Sequence, residues 1–439
     1  MRFIVTLIVA VCMTLGAVAQ ERAEWRFSTK RTAAFKTNNK YPSLVGKGQL
    51  TFVGKKATRG IGLKKYHPAV LDTRVGDYWL FTMPVENVQA GTAVDVMIPF
   101  LAAPSVMPIG FALEYLDGGK WKPAAQTINK AGSTHITPPS DETPRFIWQT
   151  MRFEHPVQDG LIQVRLRQCE KGVTKWSLYG SANGDAPRMT RYDARIPQDT
   201  TRLLFLGNSY TFYHMYPTVL KDMAWQEGHY LDCAISVHGG YSIQQHTNDA
   251  TTLETIEQGG YKYIFLQDQS SNAVRIGTTV DKGTVSSMQK MIEIIKQADP
   301  TAQPVIAHLW ARKIEDGTPL RPSMQEVFEV NPEYFANYET LQRVTDTKTL
   351  KMAEDLGVPT TPIGFAWSIV RRERPAIELY RPDSYHPSAN GAYLQAAVVY
   401  LWIFKTPFGD AAFNGELDAE TAAYLRSVAE RVVLKGERP

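Results

Sequence analysis

The chain has 439 residues, 44% of them hydrophobic and 21% charged, which is enough apolar material for a large core, more than one domain's usual length, and not the composition of a disordered chain. Its 48 Lys and Arg are mixed with 44 Asp and Glu for a formal charge of +4, and no basic run tracks a phosphate backbone, so nucleic acid is not an expected partner. Three cysteines cannot form the dense disulfide framework of small secreted domains.

The first residues, MRFIVTLIVAVCMTLGAVAQ, give a basic start at Arg2, an apolar run and the small-x-small pattern Ala17-Val18-Ala19. That order predicts a signal peptide over residues 1–19, cleaved after Ala19, and an exported protein, periplasmic or extracellular. Cys12 follows Val11 where a lipidation site wants a small residue, so an acyl anchor is not expected. No later stretch has the roughly 20 apolar residues of a membrane span. Cys169 and Cys233 are then left as structural thiols.

Residues 20–195 read as an all-β sandwich domain. Short segments, DYWLFTMPV, TAVDVMIPF, GFALEYL, RFIWQTMRFE and LIQVRLRQC, are separated by turn-rich stretches such as LDGGKW. Alternation is imperfect, as in Leu161, Val164 and Leu166 around Gln163 and Arg165. Trp25, Trp79, Trp121, Trp148 and Trp176 are assigned chiefly to the sandwich core, with sugar stacking as the alternative. From Tyr179 to Thr200 the sequence loses periodicity and suits a strap between domains.

From residue 196 to 439 the grammar is α/β. Strand candidates RLLFLG, LDCAISVHG, KYIFLQ, PVIAHLW and PTTPIGFAW alternate with helical runs, one of them predicted to start at Asn331-Pro332 and stop at Gly357. Such alternation predicts a doubly wound parallel sheet whose site lies at the carboxyl ends of its strands. Ser209 falls there, where the run LLFLGNS ends. Near the other end of the chain, Asp383 precedes His386 by three residues in DSYHPS, Pro387 biases His386 to an extended conformation, and Ser388 is a natural cap for a helix with Tyr393, Ala396, Ala397, Tyr400 and Phe404 on one face. A carboxylate beside an imidazole fixes its tautomer and stabilises the imidazolium formed when it deprotonates a serine. Gly239 and Gly240 end the second strand candidate, and Gln267 and Gln269 end the third, where backbone N–H groups or side-chain amides can face a developing oxyanion.

On these residues the stretch from about Arg202 to Lys405 resembles the SGNH hydrolases, or GDSL-like esterases, of the secreted carbohydrate-esterase type. The resemblance implies a flavodoxin-like catalytic domain, with Ser209 as nucleophile, His386 as general base and Asp383 as its partner. It makes Gly240 and Gln269 oxyanion donors and implies no cofactor. The family's third block carries Gly-x-Asn-Asp where this chain has Gln267-Asp268-Gln269-Ser270, and Gln267 is the rival donor. Asn208 replaces the usual Asp before the nucleophile, a change expected to do little harm.

Of the remaining residues, His214, His238, His246 and His308 show neither HExxH nor paired-Cys spacing, and no metal is expected. Trp310 and Arg381 are candidate substrate contacts, with core packing the alternative for Trp310 and Trp367. The expected substrate is an esterified polysaccharide or oligosaccharide, most of all an O-acetylated one. The rivals are a uronic-acid methylesterase, with Arg381 or Arg275 binding a carboxylate, and a non-catalytic glycan-binding protein on the same fold.

Overall fold

The computed structural model describes residue 21 onward apart from 27–39, 55–57, 61–68, 72–73, 87, 103–110, 125–144, 158–159, 170–174, 179–185, 193–199, 315–319 and 411. The expected signal peptide, its cleavage site at Ala19, Cys12, the 195/196 boundary and the side chain of Trp176 lie outside the described residues.

Between Arg22 and Tyr192 the strands pair antiparallel in two sheets, one of seven strands and one of six. Five of them, Tyr78–Pro84, Ala93–Ala102, Phe111–Asp117, Arg145–Arg152 and Leu161–Gln168, fall on the segments read from the sequence. The two sheets share a core in which Val94, Val96 and Ile98 of one meet Trp79, Phe81, Val164 and Leu166 of the other. In Leu161–Gln168 the buried row is Ile162, Val164, Leu166 and Gln168, so Leu161 belongs to the other face and a glutamine completes the inner one. That explains the imperfect alternation. Trp25 and Trp79 are fully buried, and Trp121 instead lies 4.0 Å beneath the Arg165 guanidinium. The expected strap needs correction, because Arg188–Tyr192 is a strand that pairs with Ala93–Ala102 and Arg22–Glu24. Ladder pairing to distant segments outweighs its lack of local pattern.

The second half is a five-stranded parallel sheet of Thr200–Gly207, Tyr230–Val237, Tyr263–Leu266, Gln303–Ala307 and Thr360–Thr361. Their spatial order is second, first, third, fourth, fifth. The winding reverses beside the first strand, so its carboxyl end opens into the crevice where doubly wound sheets bind ligands. Leu203, Phe205 and Val305 pack on one side against Leu220, Met223 and Ala397, while Leu204, Leu206 and Ile306 pack on the other against Met288, Met291 and Met352.

Three elements differ from expectation. The fifth strand is only Thr360–Thr361, because Pro362 cannot donate to the ladder and a helix, Ile363–Glu373, follows at once. Asn331 makes no side-chain cap and opens only a 3-10 turn, Pro332–Phe335. The long helix, Tyr338–Asp355, starts at Asn337, whose extended backbone lets its side chain accept from the Thr340 N–H at 2.8 Å. The helix Ala389–Phe404 is capped by Ser388 as read, but it is buried on every side from Gly391 to Leu401 rather than along one stripe. Among the described residues no helix is long and apolar enough to cross a membrane.

Candidate active site

The first parallel strand stops at Gly207, where an added Cβ would come 2.6 Å from Thr211 Oγ1 and 2.7 Å from Gln267 Oε1. Only a glycine permits that close turn. Asn208 then caps the single helical turn Ser209–Phe212, its side chain accepting from the Tyr210 N–H at 3.1 Å, which leaves Ser209 partly exposed at the strand's tip. Asn208 Nδ2 also donates to Tyr241 O at 2.7 Å and to Asp268 O at 3.5 Å. One side chain thus ties the ends of three strands together. An aspartate could not donate these two bonds, so the asparagine is a positioning residue that sequence reading passed over.

Asp383 and His386 stand in the loop before the helix Ala389–Phe404. Ser384 takes a left-handed φ of 68° and bends the loop, so that Asp383 Oδ1 accepts from the N–H of Tyr385 at 3.2 Å and of His386 at 3.0 Å. Asp383 Oδ2 is then 2.8 Å from His386 Nδ1, and His386 Nε2 is 2.7 Å from Ser209 Oγ. The imidazole lies between the rings of Tyr213 and Tyr385, with centroids 4.4 and 4.1 Å away. The structure therefore brings Ser209, His386 and Asp383 into one hydrogen-bonded line across residues far apart in sequence.

Burial disfavours charge on both acid and base. At Asp383 the hydrogen bonds from His386 and the backbone outweigh burial and bring the carboxyl down to about 2. At His386 burial wins over Asp383's attraction, with Arg321 and Arg381 adding to it, and the imidazole falls below its ordinary 6.5. A base works in its neutral form, which is present above that lowered value. We expect kcat/KM for an ester to be level through neutrality and to fall, as pH drops, with an inflection below 6.5. An inflection above 7 in a pH series at constant ionic strength would exclude His386 as the titrating base.

Gly240 has a left-handed φ of 76° with open space at its missing side chain, and Gln269, partly exposed, reaches it with Nε2 3.5 Å from Gly240 O. They stand past the ends of the second and third strands, which flank the first. Gln267 points inward instead: its Oε1 accepts from Asn208 N at 2.9 Å and Thr211 Oγ1 at 3.0 Å, while Nε2 donates to Asp268 O. Its amide is used to brace the strand tip. Asp268, set back from the surface but not fully buried, accepts from the N–H groups of Ile243 and Gln269 and from Asn272 Nδ2, and desolvation raises its pKa despite those bonds.

Three of the other histidines are buried beside fixed partners. His246, fully buried and lowered to about 4 chiefly by burial, stays neutral and bridges Gly207 O and Thr252 Oγ1 at 2.9 Å each. His308 is buried 2.6 Å from Asp346, and His238 lies 3.5 Å from Asp249. Burial, aided by Arg381, lowers His214 to about 4. Trp310 is 1% exposed, sandwiched between Trp367 at 3.9 Å and Tyr210 at 4.9 Å, and donates to Tyr385 O. Its faces are covered by protein, so it supports the floor of the site instead of offering a ring to sugar. Arg381 does stand at the site, over the Tyr213 ring at 4.3 Å. Arg275 does not: it is 1% exposed and spent on Glu326 and Ser323 O.

No family model matches the chain, and no curated protein matches it. Among solved structures it is similar to a DUF4886 family protein from Bacteroides uniformis, at 16% identity over 55% of this chain and 97% of that one, TM-score 0.45. A GDSL-like lipase from Parabacteroides merdae matches at 14% over 46% and 94%, TM-score 0.33. A carbohydrate esterase family 2 enzyme with a carbohydrate-binding domain, from Corynascus thermopiles, matches at 11% over 80% and 97%, TM-score 0.32. The chain resembles the SGNH hydrolases. Its SGNH-like features are the parallel sheet order and a serine, a histidine and an aspartate converging at the sheet's carboxyl edge.

Proposed function

We propose that the protein is an exported serine esterase that removes ester groups, O-acetyl above all, from a polysaccharide. The observation that carries the reading is the 2.7 Å contact of Ser209 Oγ with His386 Nε2, backed by Asp383 at 2.8 Å. In the proposed cycle Ser209 Oγ attacks the ester carbonyl as its proton passes to His386 Nε2. The imidazolium, held by Asp383, gives that proton to the departing sugar oxygen, leaving an acyl-serine. Water then enters, His386 takes its proton, the acid leaves, and Ser209 regains its hydrogen. The same line of groups weighs against the non-catalytic reading, since a binding module has no use for a base in contact with a partly exposed serine. In this reading residues 20–195 form an accessory β-sandwich that presents the glycan, and 196–439 form the catalytic unit. Acetate and methanol released from several esterified glycans, measured separately, test the class and the leaving group. No product of either kind would end the proposal.

Gln269 is assigned to the oxyanion together with the Gly240 and Ser209 N–H groups. A donor aimed at developing charge acts in the transition state, so Gln269→Ala is expected to lower kcat about 100- to 1,000-fold with little change in KM. Gln267→Ala should instead lower thermal stability, because it leaves the Asn208 N–H and the Thr211 hydroxyl without their acceptor. Crippled kcat in a stably folded Gln267→Ala, with Gln269→Ala near wild type, would reverse the assignment.

A further inference from the structure

Three bonds hold the loop after the second parallel strand against the peptide that leads into Ser209. The Gly207 carbonyl, two residues before the nucleophile, accepts from the His238 N–H at 3.1 Å and meets His246 Nε2 at 2.9 Å. From the next residue, Asn208 Nδ2 donates to Tyr241 O at 2.7 Å. Gly240, whose N–H is assigned to the oxyanion, lies in the loop between these ties. His246 makes its tie from a buried position. It ends the single helical turn Ile243–His246, whose first N–H is held at 2.8 Å by Asp268, the carboxylate that also takes the Gln269 N–H at 2.7 Å. A carbonyl has no hydrogen to give, so the neutral imidazole carries its proton on Nε2 and turns Nδ1 as an acceptor toward the Thr252 hydroxyl, 2.9 Å away. Thr252, on the helix Ala250–Glu257, is fully buried and is fixed in turn by Ser236 Oγ at 2.8 Å and Asp249 Oδ2 at 2.9 Å. The ring is thus set at both nitrogens. Burying it costs free energy that an apolar side chain in its place would not, so the chain of bonds is there for the loop it holds.

We propose, building on the esterase reading, that His246 is a positioning residue of the reaction: through Gly207 O it keeps the Gly240 N–H in register with Ser209. The distance it controls is the one between the attacking oxygen and a donor that meets the developing charge, so its effect falls on the transition state. Binding of the substrate before attack makes no use of it.

The test measures kcat and KM of the purified full chain on 4-nitrophenyl acetate, with stability read from urea unfolding. An asparagine puts its amide nitrogen where Nδ1 stood and falls short of Gly207 O, whereas the amide nitrogen of a glutamine is as many bonds from Cβ as Nε2 and can remake the bond. His246→Asn is expected to lower kcat about 100-fold with KM little changed, as a displacement of about 1 Å between reacting groups does, and His246→Gln to keep most of the wild-type kcat. Ile256→Ala, which empties part of the apolar cluster that Ile243 shares, should cost comparable stability with kcat near wild type. A folded His246→Asn with wild-type kcat, a loss that falls on KM, or a folded His246→Gln no better than His246→Asn overturns the inference and leaves the esterase reading standing. The same follows if Ile256→Ala loses kcat as heavily, since packing alone then explains the loss. If His246→Asn does not fold, His246→Gln decides by itself, a kcat near wild type supporting the inference and a heavy loss of kcat in the folded variant overturning it. No hydrolysis of 4-nitrophenyl acetate or of an acetylated glycan by the wild type overturns both readings.

Discussion

Ser209→Ala is expected to lower kcat for ester hydrolysis about a million-fold, to a residue of activity that binding and oxyanion donors supply alone. The fold should be unaffected. Ser209 is partly exposed, the turn it begins is capped by Asn208, and the hydroxyl's partner is His386. Unfolding free energies of variant and wild type should agree within about 0.5 kcal/mol, as for surface changes that break no packing. His386→Ala should be as severe, and the double variant no worse than either single one, because the two act as one unit. Asp383→Asn is expected to lose about ten-thousand-fold, since an amide stabilises the wrong tautomer. Asp383 also holds the Tyr385 and His386 N–H groups, so this variant should show some loss of stability that Ser209→Ala does not. Measurable turnover by a highly purified Ser209→Ala within a hundredfold of wild type would assign the nucleophile elsewhere.

The residues of this line were legible because each carries a local signature. Ser209 ends an apolar run, and Asp383 and His386 are three apart in one loop before a capped helix, so their pairing needs no knowledge of distant contacts. What failed to be legible depends on where strands stop. Side chains two apart on a strand share a face, which makes Gln267 and Gln269 equivalent by pattern, but the strand ends at Leu266 and the rule ends with it, so Gln267 turns under Gly207 while Gln269 reaches Gly240. Trp310 likewise lies beyond its strand, Gln303–Ala307, and is captured by the flat face of Trp367 from a later helix. Asn208 was discounted because its bonds run to Tyr241 and Asp268, partners no local pattern reveals. Arg321 carried no motif at all. Only the return of Tyr385 beneath it gives that arginine a place in the site.

The same limit applies where the β region meets the parallel sheet. Lys221, 1% exposed on the helix Tyr216–Gln226, sets its ammonium 2.7 Å from Asp95 of the seven-stranded sheet, beneath the rings of Tyr230 and Tyr192 at 4.6 and 5.0 Å. Burial alone would lower its pKa, but Asp95 together with Tyr230 and Cys233 outweighs burial and holds it above the ordinary lysine value. Around it, Tyr192 donates to Asp222 at 2.9 Å and Phe146 packs on Phe212 at 4.9 Å. Lys221→Ala leaves the Asp95 carboxylate buried with, among the described residues, only Trp148 and Thr150 as donors. Breaking one side of such a pair is expected to lower stability by about 3 to 5 kcal/mol, read as a shift of the urea midpoint followed by tryptophan fluorescence. Replacing both partners, Lys221→Met with Asp95→Leu, should recover much of that loss, because no charge is then left without a counterion. We expect loss of ester hydrolysis to track the fluorescence transition. The pair then joins the halves into one cooperative unit, and a fragment starting at Pro197, with Phe212 and Tyr230 uncovered, should aggregate. A soluble, active fragment together with two separate transitions in the full chain would show instead that the halves fold independently and that the pair only docks them.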